Sequence, residues 1–303
     1  MRLSRSERPA PHRRPVPGLR PSLALMSLAA LAALAWPACG GDDSVSTGDE
    51  PPASTTTAPD AGDRTDPPAG GDAVIEIRDE GGFVSPQQQF AMPPRLVITG
   101  DGRLVQGGVT TAIFPGPLVP PLTQRTISDE GVAHLLDLAE EKGLLANVDY
   151  ARPGNIMDAP DTVVAITAGG TTYEHRAYAL GLAGDGTEDD PARAALAEFV
   201  SEAEAFAVSG DAALGGEEPY VADAYLVRAS TVDPNESQGG VSPTVVDWPA
   251  EMPVRLADAE ECAEVPAAVL APLVEDANQL TFFAEGGTTY AVSVMPRIAG
   301  RTC

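Results

Sequence analysis

Lysine is all but missing from this chain: one, Lys142, stands against eighteen arginines in 303 residues. Histidine and cysteine number three each, and aromatics make up 5%. These shortages close off classes of function. Nucleic acid and anionic headgroups are held by clustered Lys and Arg. Here 44 acidic side chains face 19 basic ones, so nucleic acid is excluded as a partner. The G-x-S-x-G elbow, the H-E-x-x-H pair, the phosphate loop and the G-x-G-x-x-G fingerprint are all missing. Lys142-Gly143 has neither the glycines nor the Ser/Thr that a phosphate loop needs. No cofactor is implied. The apolar run over residues 23–35 is too short for a spanning helix, which takes about 20 residues.

What is present begins with export. Six arginines (Arg2, Arg5, Arg8, Arg13, Arg14, Arg20) precede that apolar run, and Ala38-Cys39-Gly40 follows it. A basic leader, a short greasy core and a small residue at the cut make a signal peptide, residues 1–38. A cysteine at the cut marks Cys39 for lipidation, its thiol taking a diacylglyceryl group as the new N-terminus. Trp36 and Pro37 are poor matches to the usual lipoprotein cut, and Ala33-Leu34-Ala35 offers ordinary secretory cleavage as the rival. The expected location is therefore extracytoplasmic, anchored by lipid to the cell membrane, with secretion as the alternative. Without the leader's six arginines and Glu7 the chain keeps 13 basic and 43 acidic side chains, a net of −30. Membrane attachment must then come from the lipid rather than from a basic patch. Cys262 and Cys303 remain after Cys39, too few for a four-ligand zinc site. In an exported chain they read as one disulfide, with two free thiols as the other possibility.

Residues 39–72 form a lipidated cysteine and a tether, rich in Ser, Thr, Pro, Gly and Asp, that buries too little apolar surface to order itself. Apolar periodicity starts at Ala73. The body reads as α+β, antiparallel hairpins packed with a few helices, in two halves (73–208 and 220–303) divided by a polar, Gly-rich stretch at 209–219. Asp101-Gly102 predicts a two-residue hairpin turn between strands at 95–99 and 103–106. The Pro-rich segment 114–121 can be neither helix nor central strand. Ser128 caps a helix running to about Lys142, with Val132, Leu135, Leu136 and Ala139 buried and Gly143 as its stop. Strands at 162–168 and 171–180 turn about Gly169-Gly170. Asp190-Pro191 starts a helix with Leu196, Phe199, Val200, Ala203 and Phe206 at helical spacing. In the second half, strands are expected at 220–230 and 244–248, a helix around 267–278 and a hairpin about Gly286-Gly287. Gly169-Gly-Thr-Thr-Tyr173 recurs as Gly286-Gly-Thr-Thr-Tyr290, which marks either two related modules or reused hairpin chemistry.

Acid–base chemistry centred on histidine has two candidates beyond the leader. His134 shares a helix face with Glu130, Asp137 and Glu141, a solvated acidic face. His175 shares a strand face with Tyr173 and Ala177, opposite Val164; it is either a satisfied core histidine or a catalytic base. Asp161 falls on the opposite sheet face, nearer Arg176, whereas Asp158 is free of that objection as a partner. Asp185, Glu188, Asp189 and Asp190 offer carboxylates to calcium without the alternating ligands of the usual loop. A negatively charged helix N-terminus explains them as well, and no metal site is assigned.

Gly81-Gly82-Phe83, Gly100-Asp-Gly102, Phe114-Pro-Gly-Pro117, Asp158-Ala-Pro-Asp161, Tyr173-x-His175-x-x-Tyr178-Ala-Leu-Gly181, Pro296 and Cys303 together resemble uncharacterised envelope lipoproteins of the actinobacterial type. The resemblance implies an exported lipoprotein and supplies no catalytic residues. The expected role is a non-enzymatic binding or structural one, toward an envelope protein or polymer. Its candidate surface is the segment 114–121 with Tyr150 and Tyr178, although such segments also merely cover edge strands. The alternatives are an envelope hydrolase using His175 with Asp158, and a peptidase inhibitor or chaperone-like module.

Overall fold

Two aliphatic strands set the architecture. In β1 (Ala73–Gly81) Ile75 and Ile77 alternate with Glu76 and Arg78, and in β2 (Leu96–Thr99) every residue is buried. Period-two alternation sends the isoleucines to one face of a sheet and the charges to the other. The computed structural model describes residues 66–182, 190–235 and 240–303, all within the unit Thr57–Cys303. Cys39, the leader, most of the tether and Asp185, Glu188 and Asp189 lie outside the described residues.

The first sheet is antiparallel and takes in β3 (Arg103–Gly107), β4 (Leu122–Thr126), β5 (Pro160–Ala168), β6 (Thr171–Tyr178) and β7 (Glu218–Pro219). Its strand order is β6-β5-β1-β2-β3-β4-β7. Ile75 pairs with Ile98 and Ile166, and Ile77 with Leu96 and Val164, making an aliphatic belt. Two helices cover that belt: α2 (Asp129–Glu141) and α3 (Pro191–Ala207), which follow the short α1 (Pro86–Phe90) in chain order. Ser128 caps α2 by accepting from the Gly131 N–H, and Asp190 caps α3 from Ala192 and Arg193. Gly143, at φ 74°, turns the chain out of α2.

The second sheet has the order β10-β8-β12-β11-β9. Its members are β8 (Ala224–Thr231), β9 (Thr244–Asp247), β10 (Ala263–Pro266), β11 (Thr281–Glu285) and β12 (Thr288–Pro296). All pairings are antiparallel except β9 with β11, which run parallel at the sheet's edge. One face, through Val227, Val294 and Phe283, packs on Trp248, Leu256 and α4 (Ala267–Val274). The other, through Leu226 and Met295, packs on Val97, Val105 and Leu122 of the first sheet. The protein is thus an α+β stack of helices, sheet, sheet and a thin outer layer, with the two halves sharing a core.

Three expectations change in detail. Ile98 pairs with Leu104, so the first hairpin closes through the three residues Gly100-Asp101-Gly102 and not through a two-residue turn. Asp101 takes hydrogen bonds from Thr99 and Arg103 across it, and Gly102 holds φ 77°. This is the three-residue form, with glycine in the left-handed position. Gly100 is fixed by contact: a Cβ there would lie 1.9 Å from the Pro68 carbonyl oxygen. The stretch between the halves is not wholly irregular, since β7 closes the first sheet from within it. The strand expected from Tyr220 begins at Ala224.

Candidate functional site

The hairpin β5–β6 carries His175, opposite Val164 as the register requires, and the side chain is 1% exposed. Its Nε2 lies 2.8 Å from the Leu144 carbonyl and its Nδ1 2.7 Å from the Tyr150 hydroxyl. A carbonyl only accepts, so Nε2 carries the proton, and Nδ1 receives the Tyr150 O–H. Burial lowers the imidazole pKa below its ordinary value, against the opposing pull of the Leu144 carbonyl. Burial, aided by the Asp190 carboxylate, pushes the Tyr150 phenol well above its usual range. Both ring nitrogens are thereby spent on holding residues 144–150 against the sheet.

Asp158 is not among the hydrogen-bond partners of His175. It sits at φ 60° in a loop pinned by Tyr178, whose hydroxyl donates to the Ile156 carbonyl and accepts from the Ala159 N–H. Asp161 faces Arg176 at 3.6 Å, as its register predicts. His134 is exposed and stacks obliquely on Phe206 at 5.7 Å. Asp190 accepts from the Ala151, Ala192 and Arg193 N–H groups; these bonds, Ala151's foremost, hold its carboxyl below the usual range. Among the described residues no group of three His, Cys, Asp or Glu side chains is placed to hold a metal.

The Pro-rich segment and Tyr150 belong to different cores. Leu118 packs in the second sheet's outer cluster, and Gly116 exchanges hydrogen bonds with Gln279. Tyr150 instead packs on the first sheet's helical face. The segment does line a groove of about 480 Å³, through Phe114, Pro117, Leu118 and Pro120 against Phe282 and Val292.

A larger cleft, about 830 Å³, opens between the charged face of β1, β5 and β6 and the segment leading to Cys303. Leu226 and Met295 of the second sheet also line it. Arg78 sits at its centre, bonding Glu80 at 2.7 Å and Glu76 at 3.2 Å, with Glu174 at 3.6 Å. Arg176 reaches Glu80 at 2.6 Å from β6. Burial alone would raise the Glu80 carboxyl, but hydrogen bonds from Arg176 and Arg78 outweigh it and hold it low. Arg301 closes the far wall, bonding Glu76 at 3.3 Å and the Met92 carbonyl at 3.2 Å. Glu76, 6% exposed, is thus shared by two arginines from opposite ends of the sequence.

Cys262 and Cys303 lie at disulfide-bonding distance with Cα atoms 5.3 Å apart. Cys303 ends the segment Gly300-Arg301-Thr302 that walls the cleft, so this link holds the wall in place. No strand was expected at 73–81; the alternation Ile75-Glu76-Ile77-Arg78 is the signal that marks the charged face, whereas its closure by Arg301, 225 residues from Glu76, has no local signal. The chain matches no protein-family model, no curated protein and no solved structure.

Proposed function

We propose that this is an exported protein, anchored to the outer side of the cell membrane by lipid on Cys39, that presents the Arg78 cleft as a non-enzymatic binding surface. The observation that carries the reading is the division of labour on β6. His175, the strand's one histidine, points into the core with both nitrogens engaged. Thr172, Glu174 and Arg176 face the other way and are exposed, and the first two line the cleft. A floor of fixed ion pairs suits recognition, since charges held by partners are already oriented when a ligand arrives. The leader, Cys39 and the tether supply the location, and the envelope lipoproteins that the sequence resembles fit the same role.

The test places a photo-crosslinking amino acid at Thr172 in the cleft, or at Glu140 on the exposed face of α2, in living cells. Thr172 should give a discrete adduct and Glu140 none. Adducts from Glu140 alone, or from neither position, contradict it.

A further inference from the structure

We infer that the cleft takes an extended peptide segment with basic side chains, which joins the first sheet as an added strand along β6; this rests on the binding reading above. The first observation is the strand's open edge. Ala168 and Thr171 flank the two-residue turn Gly169-Gly170, so the backbone groups of Thr171, Tyr173, His175 and Ala177 point to β5. Those of Thr172, Glu174, Arg176 and Tyr178 point outward. Arg193 occupies the outward Tyr178 carbonyl at 3.1 Å, and nothing among the described residues pairs with the other three. All three residues are exposed, and neither proline nor a bulge interrupts the run. Alternate N–H and C=O groups at strand spacing are what an extended peptide recognises by strand addition.

The second observation is charge. One carboxylate of β6, Glu174, is exposed and accepts no side-chain hydrogen bond among the described residues, whereas Arg78 and Arg301 are both committed to Glu76 and Arg176 to Glu80. The nearest arginines to Glu174 stand at 3.6 and 3.8 Å, beyond hydrogen-bond reach. A residue directly opposite Glu174 on an added strand would share its sheet face, about 5 Å away between Cβ atoms. A lysine or arginine there completes the one exposed carboxylate that the strand offers. An acidic peptide meets the same carboxylate with repulsion. Edge and charge therefore select one occupant.

The experiment measures fluorescence anisotropy with a labelled alternating lysine–valine heptapeptide and a glutamate–valine control, at a salt concentration that screens the diffuse field beyond about 8 Å. Wild type and Glu140→Gln should bind the lysine peptide alike. Glu174→Gln should weaken it about threefold. Thr172→Pro should weaken it at least tenfold, because it removes an outward N–H while leaving the ladder to β5 intact. Backbone N-methylation at the lysines of the peptide, whose N–H groups face β6 when a lysine stands opposite Glu174, should abolish binding to the unaltered protein, which keeps the test independent of how Thr172→Pro folds. Absence of lysine-peptide binding, equal binding by the glutamate peptide, or indifference to N-methylation overturns the inference. A Thr172 crosslink in cells alongside any of those results leaves the binding reading standing and rejects only the peptide class.

Discussion

His175 shows how one residue's burial decides between two chemistries. Strand spacing placed it correctly beside Tyr173 and opposite Val164. Its two hydrogen-bond partners, the accepting Leu144 carbonyl and the donating Tyr150 hydroxyl, lie in a loop whose path no periodicity reveals. Because its pKa is lower folded than unfolded, the unfolded chain takes up a proton first as pH falls. The histidine's contribution is thus complete above the ordinary value of about 6.5 and is lost on acidification below it. The stability gap between wild type and His175→Ala should be largest near pH 7.5 and shrink toward pH 5, as read by urea unfolding at each pH. Equal gaps at both ends would contradict a neutral buried imidazole. A second residue invites the opposite change. Ala179 holds φ 54°, a left-handed conformation that costs a side chain about 1–2 kcal/mol. Ala179→Gly should therefore raise the melting temperature by a few degrees, and a lowered melting temperature would refute the strain.

At the scale of elements, turn chemistry was more legible than sheet assembly. Gly169-Gly170 and Gly286-Gly287 all have positive φ, and the tyrosines pair with Ile166 and Phe283 as the two-residue register demands. The likeness stops at the neighbours. The first hairpin joins its sheet only through its leading strand, β5 to β1, leaving β6 at the edge, whereas the second is paired on both sides, β12 to β8 and β11 to β9. Helix limits followed from Ser128, Asp190 and Gly143 because caps act within a few residues. The parallel pairing of β9 and the addition of β7 depend on contacts distant in sequence, and no local pattern announces them. The disulfide is the element-scale device that acts on the site. Closing a loop with a sequence separation of 41 contributes about 4 kcal/mol in the chain-entropy account. Cys303→Ser should cost a comparable amount and expose the segment from Arg297 onward to proteolysis. Non-reducing peptide maps of the exported protein should show Cys262 joined to Cys303, and two free thiols there would rule the bond out.

For the whole molecule, composition spoke of place and the fold of surface. An arginine-rich stretch over residues 1–38 and an acidic remainder of net −30 are read without any structure. Intact-mass analysis of the membrane fraction should find a diacylglyceryl adduct on Cys39. Cys39→Ser should release the protein to the medium, and an unmodified terminus at Trp36 would exclude the anchor. The cleft could not be read from the sequence, because its floor comes from β1, β5 and β6 and its wall from Arg301. The central claim, a binding protein and not a hydrolase, is tested most directly by pairing thermal unfolding with a broad hydrolase screen on wild type and His175→Ala. The predicted result is a loss of about 1–3 kcal/mol in stability for the variant, from one lost hydrogen-bonding side chain, with no turnover that depends on it. Wild-type turnover that disappears in a variant of unchanged stability would contradict the claim.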